Sequence, residues 1–532
     1  MNTAVVHAAS IRDVTVALRV CNQAALLDAA LDALAAQTIG TDRLDVIAVD
    51  DGSTDASGEL LARAAQRYAG FLRVGRVAHG LSPAAARNWA LSQAAGRYVI
   101  FLEASDRLAP DALARMVAAA DTNEADVVLG KPEGGDRQAA AVFRKNLSHT
   151  DVYSSRAYWS LSPDKLFRTG MLQRRSLAFP TDMPVGDDQA FTAAALIAAD
   201  NVSVVGDRTC VFRGPAPAGA ANLPDRVALV SRMLALVSAQ LPEGARRDRL
   251  HSRHLEVELG RATAEALLTQ DVDPAERERA LWGAVEILRT QVAPGALALL
   301  PRMLAVRFAL LSLGHAAEAQ SIAAFEADKD RPAVRKTVED GRVYTTLPFF
   351  RDPRVVLPDA LFDITADMTV THQLQRVAWD GSMLLLDGFA FFEQLSTKDR
   401  ATRVVMRERA SGAEQSFSVT ARRDDTLTNA KGNTRAMGRF STRVNLAQTA
   451  DGRPFPPGVW DLYLSVSFEG VTQEVRLGRR RADGLDTTAR QPVTVAPAPD
   501  APSMELVATP YYTAAGDLSL EISQRSPLPV RG

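Results

Sequence analysis

In the first hundred residues, short apolar runs alternate with stretches of helical periodicity, and this alternation restricts the fold more than any other feature. Residues 14–20 and 44–49 read as strands, separated by a helix over 24–37. A helix over 56–68, a strand over 72–77, a helix over 84–95 and an apolar strand over 98–102 repeat the unit. Strands joined through helices of this length need right-handed crossovers, so a mostly parallel α/β sheet is predicted. In such a sheet a ligand belongs outside the carboxyl ends of the strands.

Those strand ends carry acids. Residues 50–55 read Asp-Asp-Gly-Ser-Thr-Asp, so the second strand ends at Asp50 and Asp51. Carboxylates there can accept hydrogen bonds from a base or ribose, or hold a cation. A plain turn with a helix cap accounts for the same letters. The strand over 98–102 ends in Glu103, Ala104, Ser105 and Asp106, a second acidic strand end in the same sheet. Carboxylates converging on one crevice can bind a divalent cation that bridges a diphosphate. Arg87 and Asn88, just inside the helix after the His79–Pro83 loop, are placed to meet negative charge. No Gly-x-Gly-x-x-Gly follows the first strand, which excludes the usual dinucleotide-binding fingerprint.

The chain as a whole is too long for one core. Its 532 residues suggest several domains, and 47% hydrophobic with 23% charged residues is ordinary globular composition. A net charge of −2 gives no reason to expect nucleic-acid binding. Cys21 and Cys210 fit a reducing compartment rather than a disulfide framework. The amino terminus lacks a charged segment followed by an apolar one, so a cleaved signal is not expected. A cytoplasmic protein, peripheral at most to the inner face of the membrane, is the expectation. Residues 295–314 are the most apolar long window; interrupted by Pro301, Arg302 and Arg307, they read as a buried bundle helix or a membrane-surface helix.

Four segments in order then carry a specific resemblance. Residues 14–22, 50–55, 86–88 (Ala-Arg-Asn) and 101–106 resemble the motifs of the GT-A fold of glycosyltransferase family 2. The likeness extends over about residues 12–215 and implies a nucleotide-sugar donor, most simply a UDP-sugar. It implies that Asp51 contacts the nucleobase and that Asp106 ligates Mn²⁺ or Mg²⁺. Glu103 and Asp106 stand for the first and last acids of the metal motif, and Ser105 replaces an acid between them. Arg19 stands where the family has Pro, and Cys21 where an aromatic residue commonly packs on the base.

Further on, Lys165-Leu166-Phe167 and residues 186–191 (Gly-Asp-Asp-Gln-Ala-Phe) resemble the family's Lys-Leu-Phe segment and Gly-Glu-Asp-x-x-Phe motif. Asp188 matches the general base and Asp187 the acid before it. A carboxylate suits an inverting transfer, which must take the acceptor's hydroxyl proton; an acid pair capping the helix over 189–199 is the other reading. Residues 214–224 look like a loop that closes over the donor, with Arg213 meeting the diphosphate or simply solvated. The donor-binding set is thus Arg19, Asp50, Asp51, Arg87, Asn88, Glu103 and Arg213, with Asp106 for the metal and Asp188 and Asp187 for catalysis.

Three regions are expected: a catalytic domain over 1–220, a helical linker bundle over 221–345 and a β-sandwich of immunoglobulin-like size over 346–532. In the linker, His251 and His254 lack the partners of a metal site and read as solvated or capping. The last region predicts strands over 362–370, 383–392, 403–407, 416–421, 439–446, 460–468 and 471–477. A Pro/Ala linker over 491–502 and strands over 503–508 and 518–522 follow. Phe389, Phe391 and Phe392 on one strand should leave at least one ring facing outward.

This order of regions resembles the bacterial wall-teichoic-acid glycosyltransferases. It implies a polymer or lipid-linked glycan as acceptor, and association into homo-oligomers, trimers first. A carbohydrate-binding scaffold that has lost catalysis is the competing expectation.

Overall fold

The computed structural model describes residues 12–78, 82–133, 139–214, 221–395, 400–429, 435–449, 451–486, 491–499 and 501–526. His79, Gly80 and Leu81 of the first loop lie outside them, as do residues 215–220 of the expected donor loop. The chain forms two compact units, residues 1–331 and 332–532, so the break falls ahead of residue 345.

In the first unit, β1 (Val14–Val20) is flanked by β2 (Leu44–Asp51) and β4 (Tyr98–Glu103), both parallel to it. Beyond β2 lies β3 (Leu72–Val77), also parallel. Beyond β4 the sheet continues through Leu166–Arg168, which is antiparallel, then Val127–Gly130 and Val202–Val205. The order reverses between β1 and β4, and in open α/β sheets a crevice opens at that switch point. Strands 1, 2 and 4 are buried on both faces, which is why they read as continuous apolar runs.

Alternation along these strands feeds two cores. Val14, Val16, Leu18 and Val20 pack with α1 (Ala24–Ala35) and α2 (Ser57–Arg67) on one face. Ala17, Ile47, Val49, Val99 and Phe101 form the other face, with α3 (Pro83–Ser92) and the helix Asp187–Ala198. The second core runs on into Leu229, Met233, Leu250 and Val257 of the linker helices. The linker is therefore part of the catalytic unit's interior.

That packing corrects two readings of the linker. His251 and His254, expected at the surface, are buried. Their helix, Ala245–His254, turns its inner face onto the catalytic core, where His254 meets Tyr158 Oη at 3.1 Å and the Glu258 carboxylate at 3.2 Å. A π-helical turn at Leu255–Leu259 follows directly. The apolar window over 295–314 is two helices, Pro294–Ala298 and Arg302–Leu313, broken at Pro301. Among the described residues no helix is long and apolar enough to cross a membrane.

The second unit is built of antiparallel sheets whose inward residues, among them Leu374, Leu386, Phe440, Trp460, Leu464 and Leu520, share one core. Two expectations are corrected. Residues 362–370 are not a strand; short 3₁₀ turns occupy Asp359–Leu361 and Thr365–Asp367, and the strand is Val370–Asp380. Its inward positions include His372, and its alternation shifts at an irregularity between Leu374 and Arg376, which hid it. Within the expected linker, Val493–Ala498 pairs with Ala501–Tyr512, a strand at the sheet's margin that tolerates its Pro497. Phe391 and Phe392 are buried, and Phe389, half-buried, stacks on Phe391.

Candidate active site

The carboxyl ends of β1, β2 and β4 bring Arg19, Asp51 and Glu103 together. Arg19 is in register with Glu103 across the switch point and with Val49 on the other side. Its Nε donates to Asp51 Oδ2 at 2.7 Å and its Nη1 to Glu103 Oε2 at 2.9 Å. The other Glu103 oxygen accepts from Arg87 Nη2 at 2.8 Å, and Arg87 Nη1 donates to Asp187 Oδ2 at 2.6 Å. Four of the predicted donor residues and one of the predicted catalytic pair thus form a single chain of alternating charge.

Asp50 and Asn88 serve the frame instead. Asp50 Oδ1 accepts from Ser53 N at 2.9 Å, which closes the turn, and Oδ2 lies 3.3 Å from Arg76 Nε. Asn22, with φ at 52°, accepts from Thr54 N at 2.8 Å and so ties the end of β1 to the same turn. The Asn88 amide donates to Phe179 O and accepts from Phe179 N, at 2.7 and 2.8 Å. Phe179 in turn stacks on Phe191 of the Asp187–Ala198 helix, 3.9 Å between ring centroids. The Ala-Arg-Asn segment therefore locks the helix that presents Asp187 and Asp188.

Asp188 stands in that helix's first turn, ahead of which Gly186 adopts φ 76°. A Cβ on Gly186 would come within 2.4 Å of Leu229 Cδ1, so glycine is required both by conformation and by the linker helix behind it. Burial pushes the Asp188 carboxyl above its ordinary range and Asp187 adds to the rise, while Arg87 and the Gln189 N–H oppose it. The simple capping reading does not describe Asp187, whose carboxylate is turned to Arg87. Asp188 opens onto a cavity of about 280 Å³, lined also by Trp159, Ser160, Ser162, Arg213 and Arg253.

Arg213 is gripped from below. Its Nε donates to Asp164 Oδ2 at 2.7 Å, and its Nη2 to Asp164 Oδ1 at 3.1 Å and to Ser162 Oγ. Lys165, fully buried, donates to Ser160 Oγ at 3.1 Å and Ser162 O at 2.7 Å, and burial lowers its ammonium to about 8. Neither Asp164 nor Arg253 stood out in the sequence. Arg253 comes from the linker and is held by Glu258 at 2.6 and 2.7 Å. Its helix, Ala245–His254, carries Leu250 as its one large hydrophobe, so the letters gave little sign that Arg253 would face inward.

Asp106 accepts from Glu103 N at 3.0 Å and Gly214 N at 3.1 Å. Gly214 approaches so closely that a Cβ there would meet Ser105 Cβ at 2.3 Å. Burial raises the Asp106 carboxyl to about 6 against those two N–H donors. A buried acid with raised proton affinity is short of positive charge, which suits one ligand to a hard cation. Glu103 fits that part poorly, since both its oxygens are engaged by arginines. Among the described residues no group of three or more His, Cys, Asp or Glu side chains could hold a metal ion. Of the two acids of the metal motif, a cation here would have Asp106 as its one protein carboxylate not paired with arginine.

Three family models match this chain. Residues 15–175 match the glycosyl transferase family 2 domain, 225–323 the glycosyl transferase TarS linker domain, and 363–522 the TarS β-glycosyltransferase C-terminal domain 1. A poly(ribitol-phosphate) β-glucosyltransferase of Bacillus spizizenii is 23% identical over 483 residues, 88% of this chain and 72% of that protein. The poly(ribitol-phosphate) β-N-acetylglucosaminyltransferase TarS of Staphylococcus aureus is 28% identical over 234 residues, 42% of this chain and 40% of that one. The crystal structure of S. aureus TarS covers 97% of this chain and 86% of its own, at 18% identity and a TM-score of 0.55. Residues 1–349 of that enzyme, solved with UDP-GlcNAc, cover 63% of this chain and 96% of their own, at 20% identity and a TM-score of 0.55. At these identities the structural likeness concerns the fold.

Proposed function

We propose that this chain, a glycosyltransferase of family 2 with the TarS linker and carboxyl-terminal domain behind its catalytic domain, moves a hexosyl or N-acetylhexosaminyl group from a UDP-sugar to a poly(ribitol-phosphate)-type polymer, with inversion at the anomeric carbon. The observation that carries the reading is Asp188: an acid of raised proton affinity, opening on a cavity that also displays Arg213 and Arg253. In the transfer, an acceptor hydroxyl oxygen bonds to the sugar's anomeric carbon as the bond to the diphosphate breaks. Asp188 takes the hydroxyl proton, and UDP leaves on the opposite face. Asp51 accepts from the base. Arg253 and Arg213 bring positive charge to a cavity that must receive a phosphate-bearing acceptor and a departing diphosphate.

Mn²⁺ or Mg²⁺, held by Asp106, would neutralise the leaving diphosphate. Because burial raises the Asp106 carboxyl, the folded protein binds that proton more tightly than the unfolded chain. Stability of the metal-free protein therefore decreases as pH rises from 3.8 to about 6, and a bound cation offsets the loss. Metal stimulation of transfer should weaken as pH falls through about 6. Asp106→Asn should remove stimulation at every pH; a fully Mn²⁺-stimulated variant would sink the assignment.

Cys21 and Cys210 are both thiols, which supports action in the reducing cytoplasm, at the membrane's inner face where a lipid-linked acceptor would be met. Trimers assembled through the second unit are part of the same reading, since several copies would hold a repetitive polymer by multivalency. Truncation after Arg331, between the two compact units, should leave donor hydrolysis intact and weaken use of long acceptors. Light scattering that finds the full chain monomeric at micromolar concentration would refute the assembly part. The function as a whole is tested by UDP release from UDP-glucose and UDP-GlcNAc with poly(ribitol phosphate) and Mn²⁺. No release from either donor would leave a binding scaffold as the reading.

A further inference from the structure

Arg253 is only 4% exposed in the wall of the cavity onto which Asp188 opens, yet its guanidinium is only partly answered. Nη1 alone meets the Glu258 carboxylate, 2.6 Å from Oε1 and 2.7 Å from Oε2. A fork-to-fork pair would have used two nitrogens. Among the described residues Nε has no partner and Nη2 makes no hydrogen bond. A buried donor left unpaired is costly, so the unspent side of this guanidinium marks where an anion entering the cavity would be bound.

The pairing with Glu258 depends on a change of winding. Residues five apart on an α-helix lie about 140° apart around its axis, so Glu258 would point away from Arg253. From Leu255 to Leu259 the turn is π-helical instead, and the Gly260 N–H donates to Leu255 O, five residues back. The extra residue in that turn returns Glu258 beneath Arg253 and keeps His254 in reach, its Nδ1 3.2 Å from the carboxylate. The buried His254 ring can donate there while its Nε2 accepts from Tyr158 Oη, 3.1 Å away, which ties Glu258 to the catalytic core. The wide turn is itself held. Thr263 Oγ1 donates to Leu259 O at 2.8 Å, and the buried Arg307 donates through Nη2 to Gly260 O at 2.8 Å. Turns of this kind concentrate at functional sites.

We propose that Glu258 is a positioning residue for the acceptor: set under Arg253 by the π turn, it holds the guanidinium so that its remaining N–H groups meet a phosphate of the polymer near the hydroxyl that Asp188 deprotonates. The proposal rests on the poly(ribitol-phosphate) reading and deepens it. Glu258 touches no substrate and acts through Arg253. A cation held in one orientation binds an oxyanion more tightly than one free to swing, because less rotamer freedom is lost on binding.

Initial rates on the full chain, with UDP-sugar and poly(ribitol phosphate) varied in turn, test this together with UDP affinity by calorimetry. Glu258→Gln should raise KM for the polymer about tenfold or more, the range of a lost hydrogen bond to a charged group, and leave UDP affinity unchanged. Glu258→Asp keeps the charge but draws it back by one methylene. It should raise that KM too, and it carries the test if the Gln variant does not fold. In an Arg253→Gln background, Glu258→Gln should raise KM no further, since its effect passes through Arg253. Polymer KM at the wild-type value in both Glu258 variants overturns the proposal. So does a rise that persists in full in the Arg253→Gln background, or an equal loss for polymer and UDP, either of which would make Glu258 a support of the fold alone. If the unaltered protein releases UDP from neither UDP-glucose nor UDP-GlcNAc with the polymer present, the glycosyltransferase reading itself fails.

Discussion

Asp188→Asn is expected to lower kcat by roughly 10²–10⁴-fold while UDP affinity changes little. The amide keeps the shape of the side chain and its contact with the Gln189 N–H, 2.8 Å in the wild type, but it cannot take the acceptor's proton. The two neighbouring acids should separate clearly. Asp187 is buried, and its carboxylate is bound to Arg87 at 2.6 Å, so it has no free path to an acceptor. Asp187→Asn should therefore lower stability more than it lowers kcat. Steady-state kinetics on both variants, with UDP binding by calorimetry, checks this. If Asp187→Asn is the inactive one, the base lies one residue earlier.

The second large effect belongs to Arg87. It joins Glu103 and Asp187, and its guanidinium lies 5.5 Å from the Phe179 ring centroid. Arg87→Met would leave the buried Asp187 without its cation and Glu103 with Arg19 alone. Breaking a buried pair from one side costs about 3–5 kcal/mol, because the remaining charge is neither solvated nor paired. Arg87 also opposes the rise of Asp188. With it gone, Asp188 should hold its proton to higher pH, and the acid limb of the kcat profile should move upward. Adding Asp187→Asn to Arg87→Met should recover part of the stability, and the double-mutant cycle measures how much. Chemical denaturation showing less than about 1 kcal/mol lost in Arg87→Met would mean that solvent, not Arg87, balances these acids.

Much of the catalytic unit was legible in the letters. The strands and helices from β1 to β4 lie within a few residues of where periodicity predicts them, because alternation of burial is a local consequence of strand and helix geometry. The acids at the ends of β2 and β4 were equally visible, since a strand end is where an apolar run stops. Asn88 shows the limit. Its position beside Arg87 suggested a donor contact, yet its amide is engaged by the backbone of Phe179, ninety-one residues away. The linker histidines show the same limit: His254 has a partner nearby in the chain, Glu258, but its burial against Tyr158 was decided by the fold. In the second unit, Val370–Asp380 was hidden because its inward positions include His372 and its alternation shifts at an irregularity between Leu374 and Arg376.

What the sequence determined by itself is therefore the order of elements, the mostly parallel sheet, and the acids at the carboxyl ends of the strands. These follow from period, burial and chain connectivity, all readable over a few residues. Only the tertiary structure decided which charge answers which. Arg19 meets Asp51 and Glu103, Arg87 meets Glu103 and Asp187, Arg213 is held by Asp164, and Arg253 arrives from the linker. The physical reason is that a buried charge takes its partner from whatever the fold brings within about 3 Å, and that distance bears no relation to separation along the chain.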